Sequence, residues 1–213
     1  MVMDKSELKK IGILGGTFDP PHLAHLRIAE EVREIWKLNK IFFIPAGSPP
    51  HKKEGSISSF EDRLQMVKLA IEGNPHFEVL DIERNIIPSY TLKTLQKLEE
   101  IYPESEKYLI IGWDSFCEFE TWWNYEKFLD YTNILVVPRG IKTWEEAEAN
   151  FYNKIRELWG DDDKALKKVF FCKTTFFDIS SSLIRKLVSE ERSIRYLVLE
   201  KVFFYIKEKG LYK

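Results

Sequence analysis

Short apolar runs recur along the chain and alternate with segments of helical periodicity. The strand-like runs, several of which end at Gly or Pro, are 11–14, 40–44, 77–80, 108–111, 134–137 and 169–172. Such uninterrupted runs are typical of strands buried on both faces, as in a parallel sheet. Apolar residues at helical spacing predict helices over 22–36, 60–71, 91–101, 143–159, 181–188 and 196–207. A capping box of Ser58 and Glu61 is predicted to open the second helix.

Strands alternating with helices predict an α/β fold, a Rossmann-like doubly wound parallel sheet with a helical C-terminal segment. At roughly 150 residues per domain, the length of 213 residues favours a single domain. We expect residues 1–175 to form the α/β core and 176–213 the helical segment. In such sheets ligands bind beyond the carboxyl ends of the strands, so the loops that follow the strands are the candidate site. Residues 46–59 are expected to form a long loop there.

The composition narrows the class of protein. Hydrophobic residues make up 44% of the chain and aromatic residues 14%, enough to fill a substantial core. A net charge of −2 disfavours a nucleic-acid partner. Two cysteines suit a reducing, cytoplasmic location. The opening MVMDKSELKK lacks a signal-peptide core, and no run approaches about 18 apolar residues, so no membrane association is expected. The sequence leaves a homo-oligomer open.

The segment 15–25, GGTFDPPHLAH, follows the first predicted strand and has the composition of an anion-binding turn. Its glycines let backbone N–H groups approach a phosphate, and the next helix points its N-terminus at the same place. His22 and His25 share one helical face and can donate to phosphate oxygens as charge grows in a transition state. The alternatives are a capping histidine beside a packed one, or a zinc site. Zinc is disfavoured because it needs three or four ligands.

A second candidate anion site lies near the end of the chain. Ser180, Ser181 and Ser182 open a predicted helix, with Arg185 one turn further on. Helix capping requires only one of these serines. The three hydroxyls, the free N–H groups of the helix N-terminus and the guanidinium of Arg185 could together bind a phosphate. The alternative is simple capping beside a surface arginine.

These segments resemble a known family. Residues 15–25 are similar to the Gly-Gly-Thr-Phe-Asp-Pro-x-His-x-Gly-His signature of nucleotidyltransferases in the class of nicotinate mononucleotide adenylyltransferase. Residues 179–185, ISSSLIR, resemble that family's Ile-Ser-Ser-Thr-x-Ile-Arg signature. Shorter matches make the resemblance cover nearly the whole chain: PPHK at 49–52, SYT at 89–91 and GWD at 112–114. Departures are Ala24 for a frequent Gly, Ser182 for Thr, Trp113 for a small residue, and the absence of a proline between Arg139 and Gly140.

The resemblance implies adenylyl transfer from ATP to nicotinate mononucleotide, giving deamido-NAD (nicotinate adenine dinucleotide) and pyrophosphate in NAD biosynthesis. A phosphate oxygen of the mononucleotide then attacks the α-phosphorus of ATP in line, and catalysis consists of positioning and charge neutralisation. ATP and nicotinate mononucleotide are the expected partners. Mg²⁺ is expected to arrive with ATP, held by phosphate oxygens and water rather than by a metal site of the protein.

The resemblance also implies roles for individual residues. Expected catalytic residues are His22, His25 and Arg185. Expected ATP-binding residues are Gly15, Gly16, Thr17, Phe18, His25, Gly112, Asp114, Ile179, Ser180, Ser181 and Arg185. Expected mononucleotide-binding residues are Lys52, Tyr90, Thr91, Asp114 and Trp122.

The helix N-terminus after Tyr90 favours a carboxylate, and hence the acid form of the mononucleotide. Trp122 is expected to stack on the pyridine ring, the alternative being that it packs in an aromatic core.

Three other functions stay open. Phosphopantetheine adenylyltransferase shares Gly-Thr-Phe-Asp-Pro and a Ser-Ser-Ser ending but typically has Thr where this chain has His22. A nicotinamide-mononucleotide adenylyltransferase takes the amide acceptor. A non-catalytic nucleotide sensor keeps the anion sites without turnover, and the presence of both histidines argues against it.

Overall fold

The computed structural model describes residues 8–48, 57–138 and 144–213. Six parallel strands form one sheet in the order β3-β2-β1-β4-β5-β6, which confirms the predicted doubly wound α/β fold. The strands are β1 (Lys10–Gly16), β2 (Lys40–Pro45), β3 (Phe77–Val79), β4 (Glu106–Gly112), β5 (Asn133–Val137) and β6 (Val169–Phe171).

Nine α-helices connect or follow these strands in the described parts of the chain. They are α1 (Leu23–Trp36), α2 (Phe60–Ile71), α3 (Thr91–Ile101), α4 (Trp113–Cys117), α5 (Phe128–Tyr131), α6 (Trp144–Trp159), α7 (Asp163–Lys168), α8 (Ser181–Ser189) and α9 (Glu200–Lys209). None of these helices is long and apolar enough to cross a membrane.

One predicted helix cap and one predicted helix start differ from the structure. The N-cap of α2 is Ser59, whose Oγ accepts the Asp62 N–H at 3.0 Å, so the predicted box at Ser58 is wrong by one residue. The last helix begins at Glu200 instead of 196, because Tyr196 adopts a left-handed conformation (φ 67°) that a helix cannot accommodate.

The order of the strands produces a crevice between β1 and β4. The β1–β4 ladder ends at Ile13 and Leu109, although β1 stays paired to β2 as far as Gly16 and β4 stays paired to β5 as far as Gly112. The carboxyl ends of the two central strands therefore separate where the connections turn to opposite sides of the sheet. This is the place at which open α/β sheets bind ligands.

Apolar side chains cover both faces of the sheet. One face buries residues of α3, α5 and α6, and the other buries residues of α1 and α2. A third cluster joins α8 and α9 to α2 through Met66, Ala70, Ile184, Leu187, Ile194, Val198, Val202 and Ile206. Residues 179–213 are thus seated beside α2 and next to the loop that follows β1.

Candidate active site

The loop after β1 folds back on its own glycines. Phe18 has a left-handed backbone (φ 51°) and a buried ring. That ring lies so close to Gly16 that a Cβ there would be only 3.3 Å from it. Gly15 is exposed to solvent, whereas the Thr17 carbonyl accepts a hydrogen bond from the buried side chain of Arg63. The loop therefore presents backbone at the mouth of the crevice, as a phosphate-binding turn requires.

His22 and His25 form a stacked pair at the start of α1. Their ring centroids are 3.7 Å apart, and the edge of Phe18 lies 5.0 Å from the His25 ring. The His22 backbone N–H donates to Nδ1 of His25 at 3.2 Å. Because Nδ1 accepts, the proton of a neutral His25 ring lies on Nε2, which leaves that nitrogen as a donor. Such a donor suits a phosphate oxygen.

The turn at the start of α8 lies directly against this loop. The Ser181 Oγ donates to the Pro20 carbonyl at 2.9 Å, and Arg185 Nη1 donates to the Asp19 carbonyl at 2.7 Å. Arg185 Nη2 also donates to Ser182 Oγ at 3.1 Å. Two segments about 160 residues apart in sequence therefore meet at one edge of the sheet.

The three serines have different partners. Ser180 is the N-cap, accepting the Leu183 N–H at 3.1 Å, while Ser181 and Ser182 bond to the first loop and to Arg185. Simple capping therefore explains only Ser180. Ile179 packs on the third apolar cluster and so anchors the turn.

Asp19 is wholly buried where these segments converge. Its Oδ1 accepts the Tyr212 hydroxyl at 2.7 Å. Its Oδ2 accepts the Ser58 N–H at 3.3 Å and lies 3.9 Å from Arg185 Nη1. The carboxylate thus links the first loop to the start of α2, to α8 and to the tail after α9.

A second buried charge supports the same loop. The guanidinium of Arg63 donates to the carbonyls of Thr17 (2.9 Å), Ser58 (3.1 Å) and Gly47 (3.3 Å). Burial lowers the pKa of Arg63, and the neighbouring Asp19 opposes that change. Arg63 therefore joins the loops after β1 and β2 to α2.

Glu83 lies on the other side of Gly47. Its carboxylate accepts from the Thr94 hydroxyl and the Gly47 N–H. Gly47 is packed so closely that a Cβ there would fall 1.9 Å from the Glu83 carbonyl oxygen. The Ser89 Oγ accepts the Ser48 N–H at 2.9 Å, which ties this segment to the start of α3.

Gly112 and Asp114 follow β4 on the opposite wall of the crevice. Gly112 is the N-cap of α4, and Asp114 is exposed in its first turn. Trp113 is partly buried and packs near Phe116 and Phe171, at centroid distances of 5.9 and 6.5 Å. The bulky residue at this position therefore packs against the core.

The start of α3 carries Tyr90 as its N-cap and Thr91 as its first residue. Tyr90 stacks on Trp123 at 5.1 Å, and Trp123 is 42% exposed. Trp122 instead packs against Phe119 and Phe128, at 5.0 and 5.8 Å. Trp122 thus belongs to the aromatic core at least in part, and the more accessible indole is its neighbour.

Lys52 lies outside the described residues, as do its neighbours 49–51 and the pair Arg139 and Gly140. Sequence reasoning missed three residues that hold the site together: Asp19, Arg63 and Tyr212. Asp19 stands inside the first motif, which was a usable signal. For Arg63 and Tyr212 the chain offers no periodicity or spacing that separates them from surface residues.

The fold is that of a doubly wound α/β protein, and its two apposed turns meet at the strand switch point. A family model described as cytidylyltransferase-like matches residues 13–187, a span that includes both turns.

Curated relatives with similar sequences identify the family more closely than the family model does. A protein of Syntrophotalea carbinolica named probable nicotinate-nucleotide adenylyltransferase is 44% identical over 96% of this chain and 97% of that protein. One of the same name from Desulfatibacillum aliphaticivorans is 40% identical over 95% and 99%. The chain therefore belongs to the nicotinate-nucleotide adenylyltransferase family.

Solved structures agree in fold. Nicotinic acid mononucleotide adenylyltransferase of Plasmodium falciparum, complexed with NaAD, superposes with a TM-score of 0.74 at 21% identity, covering 96% of this chain and 97% of that one. The same enzyme complexed with APC gives a TM-score of 0.70 at 22% identity.

The pKa of Glu83 predicts a pH-dependent stability. Burial raises this pKa above its usual 4.5, and the Thr94 hydroxyl opposes the rise. The folded state therefore binds the proton more tightly than the unfolded state, and stability falls as pH rises from 4.5 through the raised pKa. Glu83→Gln should remove this fall, as measured by urea unfolding between about pH 4 and 8.

Thr94→Val serves as the companion variant. It removes the hydroxyl that lowers the Glu83 pKa, so the fall in stability should extend to higher pH. Parallel pH profiles for wild type and Glu83→Gln would show that this carboxyl titrates no differently in the folded and unfolded states.

Proposed function

We propose that the protein transfers the adenylyl group of ATP to nicotinate mononucleotide, releasing pyrophosphate and forming nicotinate adenine dinucleotide for NAD biosynthesis. The observation that carries this proposal is the contact of the turns at 15–22 and 180–185 across the carboxyl edge of the sheet. Family membership supports the same activity. We propose that residues 1–213 act as one nucleotidyltransferase domain, with 1–175 as the core and 176–213 carrying the second turn.

The proposed chemistry needs no covalent intermediate. The triphosphate bends between the two turns, and the mononucleotide phosphate attacks the α-phosphorus in line. His25 donates from Nε2 to a phosphate oxygen, and His22 and Arg185 neutralise the charge that develops in the transition state. The backbone of Gly15, Gly16, Thr17 and Phe18 and the hydroxyls of Ser180 and Ser181 are proposed to hold the remaining phosphate oxygens.

The nucleosides are proposed to occupy the two sides of the crevice. ATP contacts Gly112, Asp114 and Ile179, and the exposed carboxylate of Asp114 can accept from ribose hydroxyls of either substrate. The mononucleotide contacts Tyr90, Thr91, Trp122 and Lys52. Mg²⁺ would be bound by the ATP phosphates and water rather than by protein ligands, and it would supply charge neutralisation to the phosphates. The free cysteines 117 and 172 favour the proposed cytoplasmic location.

The acid form of the mononucleotide is the proposed acceptor. Helix α3 begins at Thr91, and the partial positive charge at a helix N-terminus favours a carboxylate over a neutral amide. This assignment is tested by measuring pyrophosphate release from ATP with three acceptors in turn: nicotinate mononucleotide, nicotinamide mononucleotide and phosphopantetheine. Turnover with nicotinate mononucleotide is expected to dominate. Turnover mainly with another acceptor, or ATP binding without any turnover, would contradict it.

His25→Ala should lower kcat by about 100-fold while ATP still binds, because the donor to the developing charge is lost. Steady-state pyrophosphate release and calorimetric ATP binding measure the two effects. His76→Ala is the matched control, since His76 precedes β3 at the opposite edge of the sheet and contacts the Asn39 carbonyl. An unchanged rate in His25→Ala would remove this residue from the transition state.

Trp122→Ala should raise KM for the mononucleotide by about 2- to 12-fold, the value of one aromatic stack, with KM for ATP unchanged. Trp123→Ala is the informative comparison, because this neighbour is the exposed indole stacked on Tyr90. If Trp123→Ala raises that KM and Trp122→Ala lowers only the melting temperature, the stacking role belongs to Trp123.

A further inference from the structure

The tail after α9 turns back toward the phosphate-binding loop. Helix α9 ends at Gly210 in a left-handed conformation, and the Leu211 N–H bonds to the Ile206 carbonyl at 3.1 Å. Tyr212 then adopts a left-handed backbone (φ 66°) that directs its side chain inward. Its hydroxyl reaches Asp19, 193 residues earlier in the chain, at 2.7 Å.

The position of this hydroxyl decides which way the Asp19 carboxylate faces. Tyr212 bonds Oδ1, so Oδ2 is turned to the Ser58 N–H and to Arg185. The same Arg185 nitrogen that lies 3.9 Å from Oδ2 donates to the Asp19 carbonyl. The Tyr212 hydroxyl and the Arg185 guanidinium therefore meet at one residue, Asp19, which Tyr212 contacts through the carboxylate and Arg185 through both the carbonyl and the carboxylate.

The charge state of the phenol suits this task. Burial raises the pKa of Tyr212 far above its ordinary value, and the Asp19 carboxylate raises it further. The hydroxyl thus stays protonated near neutral pH and remains a donor to the carboxylate. A hydrogen bond to a charged, buried acceptor is among the stronger ones in proteins.

We propose that Tyr212 is a positioning residue for adenylyl transfer, acting through the Asp19 carboxylate to hold Arg185 and the first loop in the geometry that binds the ATP phosphates. This inference rests on the proposed function and extends it to a residue outside both motifs. Tyr212 itself lies behind the loop and touches no phosphate in this scheme.

The chain supplies a matched control. Tyr205, on α9, donates to Asp62 Oδ1 at 2.8 Å, which is the same phenol–carboxylate pair from the same part of the chain. Burial and this bond raise the pKa of Tyr205 to about 12. Tyr205→Phe and Tyr212→Phe therefore each remove one phenol–carboxylate hydrogen bond, but only Tyr212→Phe removes one to the Asp19 carboxylate.

The experiment compares kcat/KM for ATP and the melting temperature of both variants with wild type. Tyr212→Phe should lower kcat/KM about tenfold, the effect of losing one hydrogen bond to a charged group. Tyr205→Phe should stay within about twofold of the wild-type kcat/KM, whatever its fall in melting temperature. Equal losses of activity in the two variants, or none in Tyr212→Phe, would overturn the proposal.

A second cycle tests the route through Arg185. In an Arg185→Ala background, Tyr212→Phe should change kcat/KM by less than about twofold, since the group being positioned is gone. A full tenfold loss in that background would show that Tyr212 does not act through Arg185. If wild type itself turns over no acceptor, the proposed function fails. The same double-mutant cycle of Tyr212→Phe and Arg185→Ala can then be measured as ATP affinity by calorimetry, and it still decides the role of Tyr212.

Discussion

The buried carboxylate of Asp19 is the constraint on which the site depends. Removing a carboxylate from water costs several kcal/mol, so its oxygens must be fully engaged in the folded protein. Its partners come from Ser58, Arg185 and Tyr212, which belong to three separate segments. Satisfying one charge thus requires those segments to meet, and they meet at the loop that follows β1.

The buried guanidinium of Arg63 constrains the loops after β1 and β2 in a similar way. An arginine with no exposed surface must place its donors on fixed acceptors, and here these are the backbone carbonyls of Thr17, Gly47 and Ser58. Asp19 and Arg63 attract each other, so the two buried charges reduce the cost of burying either. Polar groups therefore hold the loops after β1 and β2 in place.

Much of the fold could be predicted from the chain, because parallel strands buried on both faces appear as continuous apolar runs. The helix starting at Ser181 was also predictable, since its N-cap chemistry is local. The short helices α4, α5 and α7 were not, because four to six residues do not establish a helical period. The stacking of Trp123 on Tyr90 joins residues that are far apart in sequence, which no local pattern records.

The bond between Tyr212 and Asp19 has a consequence for biosynthesis. During translation at about 5–20 residues per second, the 193 residues between them take roughly 10–40 s to appear. Until then the sheet can form while Asp19 lacks one of its acceptor bonds. On the ribosome the six strands, the last of which ends at Phe171, are therefore made well before the hydrogen bonds of the Asp19 carboxylate can be completed.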